Sequence, residues 1–226
     1  LLDAFGDTFR GHEYRHRRAT TGDAIATYLY EDIYDLGRSK AFSSKVAEGS
    51  TVVNTRNLVK GKKGRRGDGT FGELIPGEKT IRLPGFAVAR GPVATIEIGV
   101  EVKLLATAMI KQIDRVMNDL RNQAATFRKL NPQSIAAAIV GVNYSYNYIS
   151  FEGDRAFRSE PIREAKKAQA RLEAGVRDAY DELVILPFAI TNEAPFPFAW
   201  LDERDTEQHY KSAVLRLSNL YESRFG

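Results

Sequence analysis

Thr95-Ile-Glu-Ile-Gly-Val-Glu-Val-Lys-Leu104 alternates so regularly that its charges sort to one side of an extended strand. Ile96, Ile98, Val100, Val102 and Leu104 fall on one face, and Glu97, Gly99, Glu101 and Lys103 on the other. Two carboxylates and an ammonium on one pleated face, with a glycine leaving room between them, can hold a divalent cation beside a charge clamp. A solvated amphipathic strand is the other reading of the same pattern. Like charges crowded onto one face cost stability unless a cation sits among them, which favours the first.

Outward from that strand, Thr51 to Leu104 reads as a β-meander: a loose alternation over 51–59, a strand through Thr70–Ile75, a Pro76-Gly77 turn, and short extended pieces at 80–83 and 86–89. Between its first two strands lies Lys60-Gly-Lys-Lys-Gly-Arg-Arg-Gly67, a cationic glycine-rich loop that cannot pack a core and must lie in solvent or against something negative. After the meander, Ile110, Ile113, Met117, Leu120, Ala124 and Phe127 form the apolar stripe of a helix over 107–130, which Asn131-Pro132 stops. Ser134–Val142 and Leu183–Ile190 are apolar runs suited to buried strands, and helices are expected over 161–182 and 206–223. Upstream, Thr21-Gly22-Asp23 starts a helix with Ile25, Leu29, Ile33 and Leu36 inward, ended by Gly37, and residues 1–17 are expected to form another. The order predicts an α/β (α+β) fold, three layers with a central mixed β-sheet flanked by helices, in a single domain over 1–226. Its parts are N-terminal helices (1–37), a meander and helix (51–130) and C-terminal strands and helices (134–226).

The 226 residues carry 43% hydrophobic and 27% charged side chains, a globular balance, with a net charge of +4 that is compatible with a polyanionic partner. The absence of cysteine excludes disulfides and thiolate zinc sites. His12 and His16 stand at i, i+4, but Arg15, Arg17 and Arg18 beside them favour a solvated basic helix over a metal site. No apolar run approaches a membrane span and no signal peptide is visible, so the expectation is no membrane partner and a cytoplasmic location. The chain begins at Leu1 rather than methionine, which leaves room for residues upstream.

Asp68 at the start of one strand, Glu101-Val102-Lys103 on a neighbour, and Lys111-Gln112-Ile113-Asp114-Arg115 on the following helix together resemble the PD-(D/E)xK nuclease superfamily. The resemblance covers roughly residues 20–145 and implies a restriction-endonuclease-like α/β/α core. It makes Asp68 and Glu101 ligands of Mg²⁺, with Mn²⁺ as a substitute, and sets Lys103 beside the attacking water. Gln112 would touch that water or the backbone of the nucleic acid. An acid on an early helix often completes such sites; Glu31 fits the habit, with Asp32 as second choice, and both read equally as surface acids beside Arg38 and Lys40. Lys60, Lys62, Lys63, Arg65 and Arg66 of the loop, with Lys111 and Arg115, would bind phosphates without reading sequence. Tyr144, Tyr146 and Tyr148 could stack bases, although capping a core is the commoner role of such tyrosines.

This chain has Gly67 where the family name prescribes proline, and the long gap from Asp68 to Glu101 calls for an inserted hairpin, with Glu73 and Glu78 as rival acids. The resemblance implies a Mg²⁺-dependent endonuclease acting on double-stranded DNA, of restriction or antiviral-defence type and working as a homodimer. A catalytically silent nucleic-acid-binding or assembly module of the same fold, and an RNA-directed nuclease, are the alternatives.

Overall fold

The computed structural model describes residues 1–15, 20–59, 62–63, 67–152 and 155–226. They form a mixed α/β structure in which one mixed sheet runs in the order β2-β1-β3-β4-β5-β8-β9, with a separate two-stranded ribbon, β6-β7. The sheet strands are β1 (Thr51–Val59), β2 (Lys62–Lys63), β3 (Gly69–Leu74), β4 (Arg90–Leu105), β5 (Ile135–Asn143), β8 (Glu182–Ile190) and β9 (Phe198–Trp200); the ribbon is β6 (Tyr148–Glu152) and β7 (Arg155–Ser159). β4, β5 and β8 are mutually parallel, whereas β3 pairs antiparallel with β1 and β4. β1 also meets β4 in parallel at Val53–Arg90 and Asn54–Gly91, so the sheet curls at the meander.

Helices cover both faces. α1 (Leu2–Asp7), α2 (Thr20–Leu36), α3 (Lys40–Glu48) and α6 (Glu203–Phe225) pack with Ile98, Val100 and Val102; α4 (Met109–Leu130) and α5 (Ile162–Val176) pack on the opposite face with Ile96, Ala136 and Ala138. β5 is buried at every residue because both of its faces carry helices, as its unbroken apolar run requires. The distance from Asp68 to Glu101 is spanned by the β3–β4 hairpin and its long irregular loop, of which Ile81 and Arg90 form one isolated bridge.

Three expectations about elements need correction. The first helix stops at Asp7: Gly11 adopts a left-handed φ of 76° and donates to the Phe196 carbonyl at 3.2 Å, which turns the chain away. His12 therefore stands past the helix, and His16 lies outside the described residues, so the basic helix is not formed at His12. α3 was not expected, although its Ser39 cap on the Phe42 N–H and its left-handed Gly49 end are ordinary helix signals. Lys62 and Lys63, expected in a loop, pair by backbone with Val59 and Leu58.

The deciding strand itself changes face midway. Phe71 opposes Ile98 and Gly72 opposes Ile96, which leaves Glu97 as an extra, unopposed residue in β4. Such a bulge reverses the parity of everything beyond it. Ile96 consequently packs with α4 while Ile98 packs with α2 and α6. Glu97 does not share a face with Glu101.

Candidate active site

β4 ends at Leu105 and delivers Lys103 through Ala108 to a cleft of about 810 Å³ outside the carboxyl end of the strand. Parallel α/β sheets place ligands in this position, because the connections leaving the strand ends splay apart there. Thr21 and Gly22 of α2 and Asp68 form one wall, Gln112, Arg115, Val116 and Asp119 of α4 another, and Ser150, Phe157 and Ser159 of the ribbon a third.

Asp68 sits just before β3, and its Oδ2 accepts the Val102 N–H at 2.7 Å. β3 starts at Gly69, opposite Val100, so the side chain takes over where the strand ladder ends. Gly22 lies so close that a Cβ there would stand 2.6 Å from the Asp68 carboxyl carbon, which sets that carboxylate against the first turn of α2. A helix N-terminus favours such a charge. Glu101, 7% exposed, accepts from the Lys103 Nζ at 2.5 Å. Tyr180, which donates to the Leu120 carbonyl at 2.8 Å, feels both acids: burial pushes its hydroxyl well up, and the Glu101 charge adds to that, Arg128 opposes it and Asp68 adds again. A Cβ on Gly67, the residue before Asp68, would fall 3.2 Å from a Glu101 carboxylate oxygen, so the two acids approach from sequence positions more than thirty residues apart.

Gln112 faces the cleft from the first turns of α4, where its Oε1 accepts from Arg115 at 3.0 Å. Lys111 is exposed on the same helix but does not line the cleft. Ala108, which caps α4, holds a left-handed φ of 47°, a strained conformation for a residue with a Cβ, at the floor of the cleft. Lys60, Arg65 and Arg66 lie outside the described residues, and of Lys62 and Lys63 the backbone alone is placed.

Other predicted residues are not brought here. Glu31 binds the backbone N–H groups of Ala87 and Val88 at 2.8 and 2.9 Å, tying the β3–β4 loop to α2. Asp32 accepts the Tyr210 hydroxyl of α6. The helix does reach the cleft, but with Thr21 and Gly22 rather than with an acid. Glu97, 2% exposed, is held by Lys45 of α3 at 2.8 Å and by the Tyr221 hydroxyl of α6, in the opposite layer. The room at Gly99 is filled as well: a Cβ there would fall 2.5 Å from the Phe127 ring, so the glycine admits α4 rather than an ion. Of the three tyrosines, Tyr148 is buried and Tyr144 donates to Gln169 at 2.7 Å, while Tyr146 is 72% exposed.

Asp119 and the ribbon were missed. Asp119 falls seven residues after Gln112, on the same helical stripe. Alternation on both sides of Gly153-Asp154 is a hairpin signal that would have found β6-β7.

Among the described residues no group of three or more His, Asp or Glu side chains is placed to hold a metal ion. Asp68 and Glu101 nevertheless suit Mg²⁺, which needs only one or two carboxylates and completes its shell with water and substrate oxygens. No helix among those residues is long and apolar enough to cross a membrane. No protein-family model matches the chain, and neither curated proteins nor solved structures give a significant match.

Proposed function

We propose that the protein is a Mg²⁺-dependent nuclease that hydrolyses phosphodiester bonds of DNA at the β4 cleft, built on a restriction-endonuclease-like core of the PD-(D/E)xK kind. The observation that carries this reading is the meeting of three groups towards the carboxyl end of β4: Asp68 and Lys103 line the cleft with Gln112 and Arg115, and Glu101 binds Lys103 beside it. Asp68 and Glu101 would hold the metal, which when bound supplies an acidified water and neutralises charge on the transferring phosphoryl group. Lys103, anchored on Glu101, orients the attacking water and donates to a phosphate oxygen. Gln112 directs an amide to the same water, and Arg115 offers a guanidinium to the neighbouring phosphate. The Asp68 bond to Val102 fixes one ligand to the strand that carries the other, so the pair is set before substrate arrives.

Incubation of the purified protein with labelled DNA and Mg²⁺ or Mn²⁺ should give cleavage that Lys103→Ala reduces at least about a hundredfold, on the scale of removing one charge-stabilising donor. Circular dichroism should show the variant folded. Mn²⁺ titration should find a site that Asp68→Asn and Glu101→Gln both weaken. Activity undiminished in Lys103→Ala would sink the mechanism; a folded protein without that Mn²⁺ site would instead favour a catalytically silent module.

A further inference from the structure

The third wall of the cleft has no part in the chemistry above. β6 and β7 pair only with each other, while their base is fixed: the Ile149 N–H donates to the Thr191 carbonyl at 2.9 Å, Asn192 donates to the Ile149 carbonyl at 2.8 Å, and the Ser159 and Thr107 hydroxyls share a hydrogen bond of 2.7 Å. Alternation then puts Ser150, Arg155, Phe157 and Ser159 on one face of the ribbon, and three of these, Ser150, Phe157 and Ser159, line the cleft. Phe157 is 46% exposed. An isolated exposed aromatic is ordinary on an outer surface. Phe157 instead stays nearly half exposed while lining a cleft whose other walls carry the charged and polar side chains Asp68, Lys103, Gln112, Arg115 and Asp119.

A cleft with cations on one side and a bare ring on the other matches a chain of alternating anions and flat apolar rings. Lys103 and Arg115 meet the phosphates, and Phe157 meets a base. A base inside a duplex has both faces covered by its neighbours, whereas an unpaired base has one to give. The three walls bound an open cleft of about 810 Å³, into which an unpaired base can reach Phe157.

We infer that the cleft takes single-stranded nucleic acid and that Phe157 is its base-stacking residue. This rests on the nucleic-acid reading of the cleft and narrows its substrate. The test is fluorescence anisotropy in Ca²⁺ with a short unstructured oligodeoxynucleotide, its ribonucleotide counterpart, the same sequence as a blunt duplex, and an abasic version of the single strand. The wild-type protein should bind a single strand at least about tenfold more tightly than the duplex. Phe157→Ala and Phe157→Leu should each lose about tenfold, the scale of one base–aromatic stack, while Phe157→Trp keeps the affinity and shows indole quenching on binding. The abasic strand should bind wild type and Phe157→Ala alike. Comparison of the two full-length arms shows which sugar is preferred. Equal binding of the single strand by Phe157→Ala and wild type, preference for the duplex, or no binding to any probe overturns the inference. Single-strand binding that needs Phe157, in a protein that never cleaves, upholds it while the nuclease reading falls; Lys103-dependent cleavage with a neutral Phe157→Ala does the reverse.

Discussion

The two ends of the parallel strands carry similar side chains to opposite effect. At the amino-terminal end, Asp181 lies between Arg224 of α6 at 2.6 Å and Arg128 of α4 at 3.5 Å and accepts the Ala136 N–H at 2.8 Å, while Glu182 takes both arms of the Arg216 guanidinium. Every one of these charges is matched by another element, so that end is a clasp. At the carboxyl-terminal end, Asp68 binds the Val102 N–H and Lys103 binds Glu101, and α4 and the ribbon stand apart there to leave a cleft that Asp68 and Lys103 line. Density of charge therefore does not mark a site. The distinction is whether neighbouring elements close over the charges or stand away from them.

The sharpest way to break this contrast is at the clasp. Burial alone would raise the Asp181 pKa, but the Arg224 hydrogen bond, the Ala136 N–H and the charges of Arg224 and Arg128 outweigh it and hold the carboxyl below its ordinary value. Asp181→Asn should cost about 2–3 kcal/mol at neutral pH, short of a fully buried pair because both arginines are partly exposed, and should leave Mn²⁺ affinity at the cleft unchanged. Because the folded pKa is lowered, that stability is present above the ordinary aspartate range and lost as pH falls through the folded value. The gap between wild type and variant in urea unfolding should thus be constant near neutrality and narrow below about pH 4. A gap that widened in acid would show that Asp181 is not held as a charge.

A smaller effect is expected between the two ends. Gly99→Ala pushes a methyl group into the Phe127 ring and should cost about 2 kcal/mol in thermal unfolding. A neutral outcome would mean that α4 is not seated there. Smallest is Glu97→Gln, which keeps a hydrogen bond to Tyr221 and weakens that to Lys45, for about 1 kcal/mol. Calorimetry should find its Mn²⁺ binding equal to wild type; a weakened site would return Glu97 to the cleft.

Periodicity made most of the frame legible, because β5, β8, α4 and α6 each bury the face their pattern announces. The proximity of Asp68, Glu101 and Lys103 was also within reach, since all three lie at strand ends that pair. What alternation could not reveal was the change of parity at Glu97, so Glu97 and Glu101 looked like neighbours and are not. The use of Glu31 was hidden for a related reason: its partners are bare N–H groups of an irregular loop, which no side-chain pattern announces. The space at Gly99 could be assigned only once Phe127, on another element, was in place.

The bulge at Glu97 also separates the part of β4 that reaches the cleft from the part that pairs with the end of β3. Removal of Glu97 would set Ile96 directly beside Ile98 and restore alternation from Thr95 to Leu105, while the second shift, between Thr95 and Val93, would remain. The lengths of the two parts are thereby uncoupled: the meander can gain or lose a residue at the bulge without moving Lys103 off the wall of the cleft. Sequence drift on one side of that point need not be felt on the other.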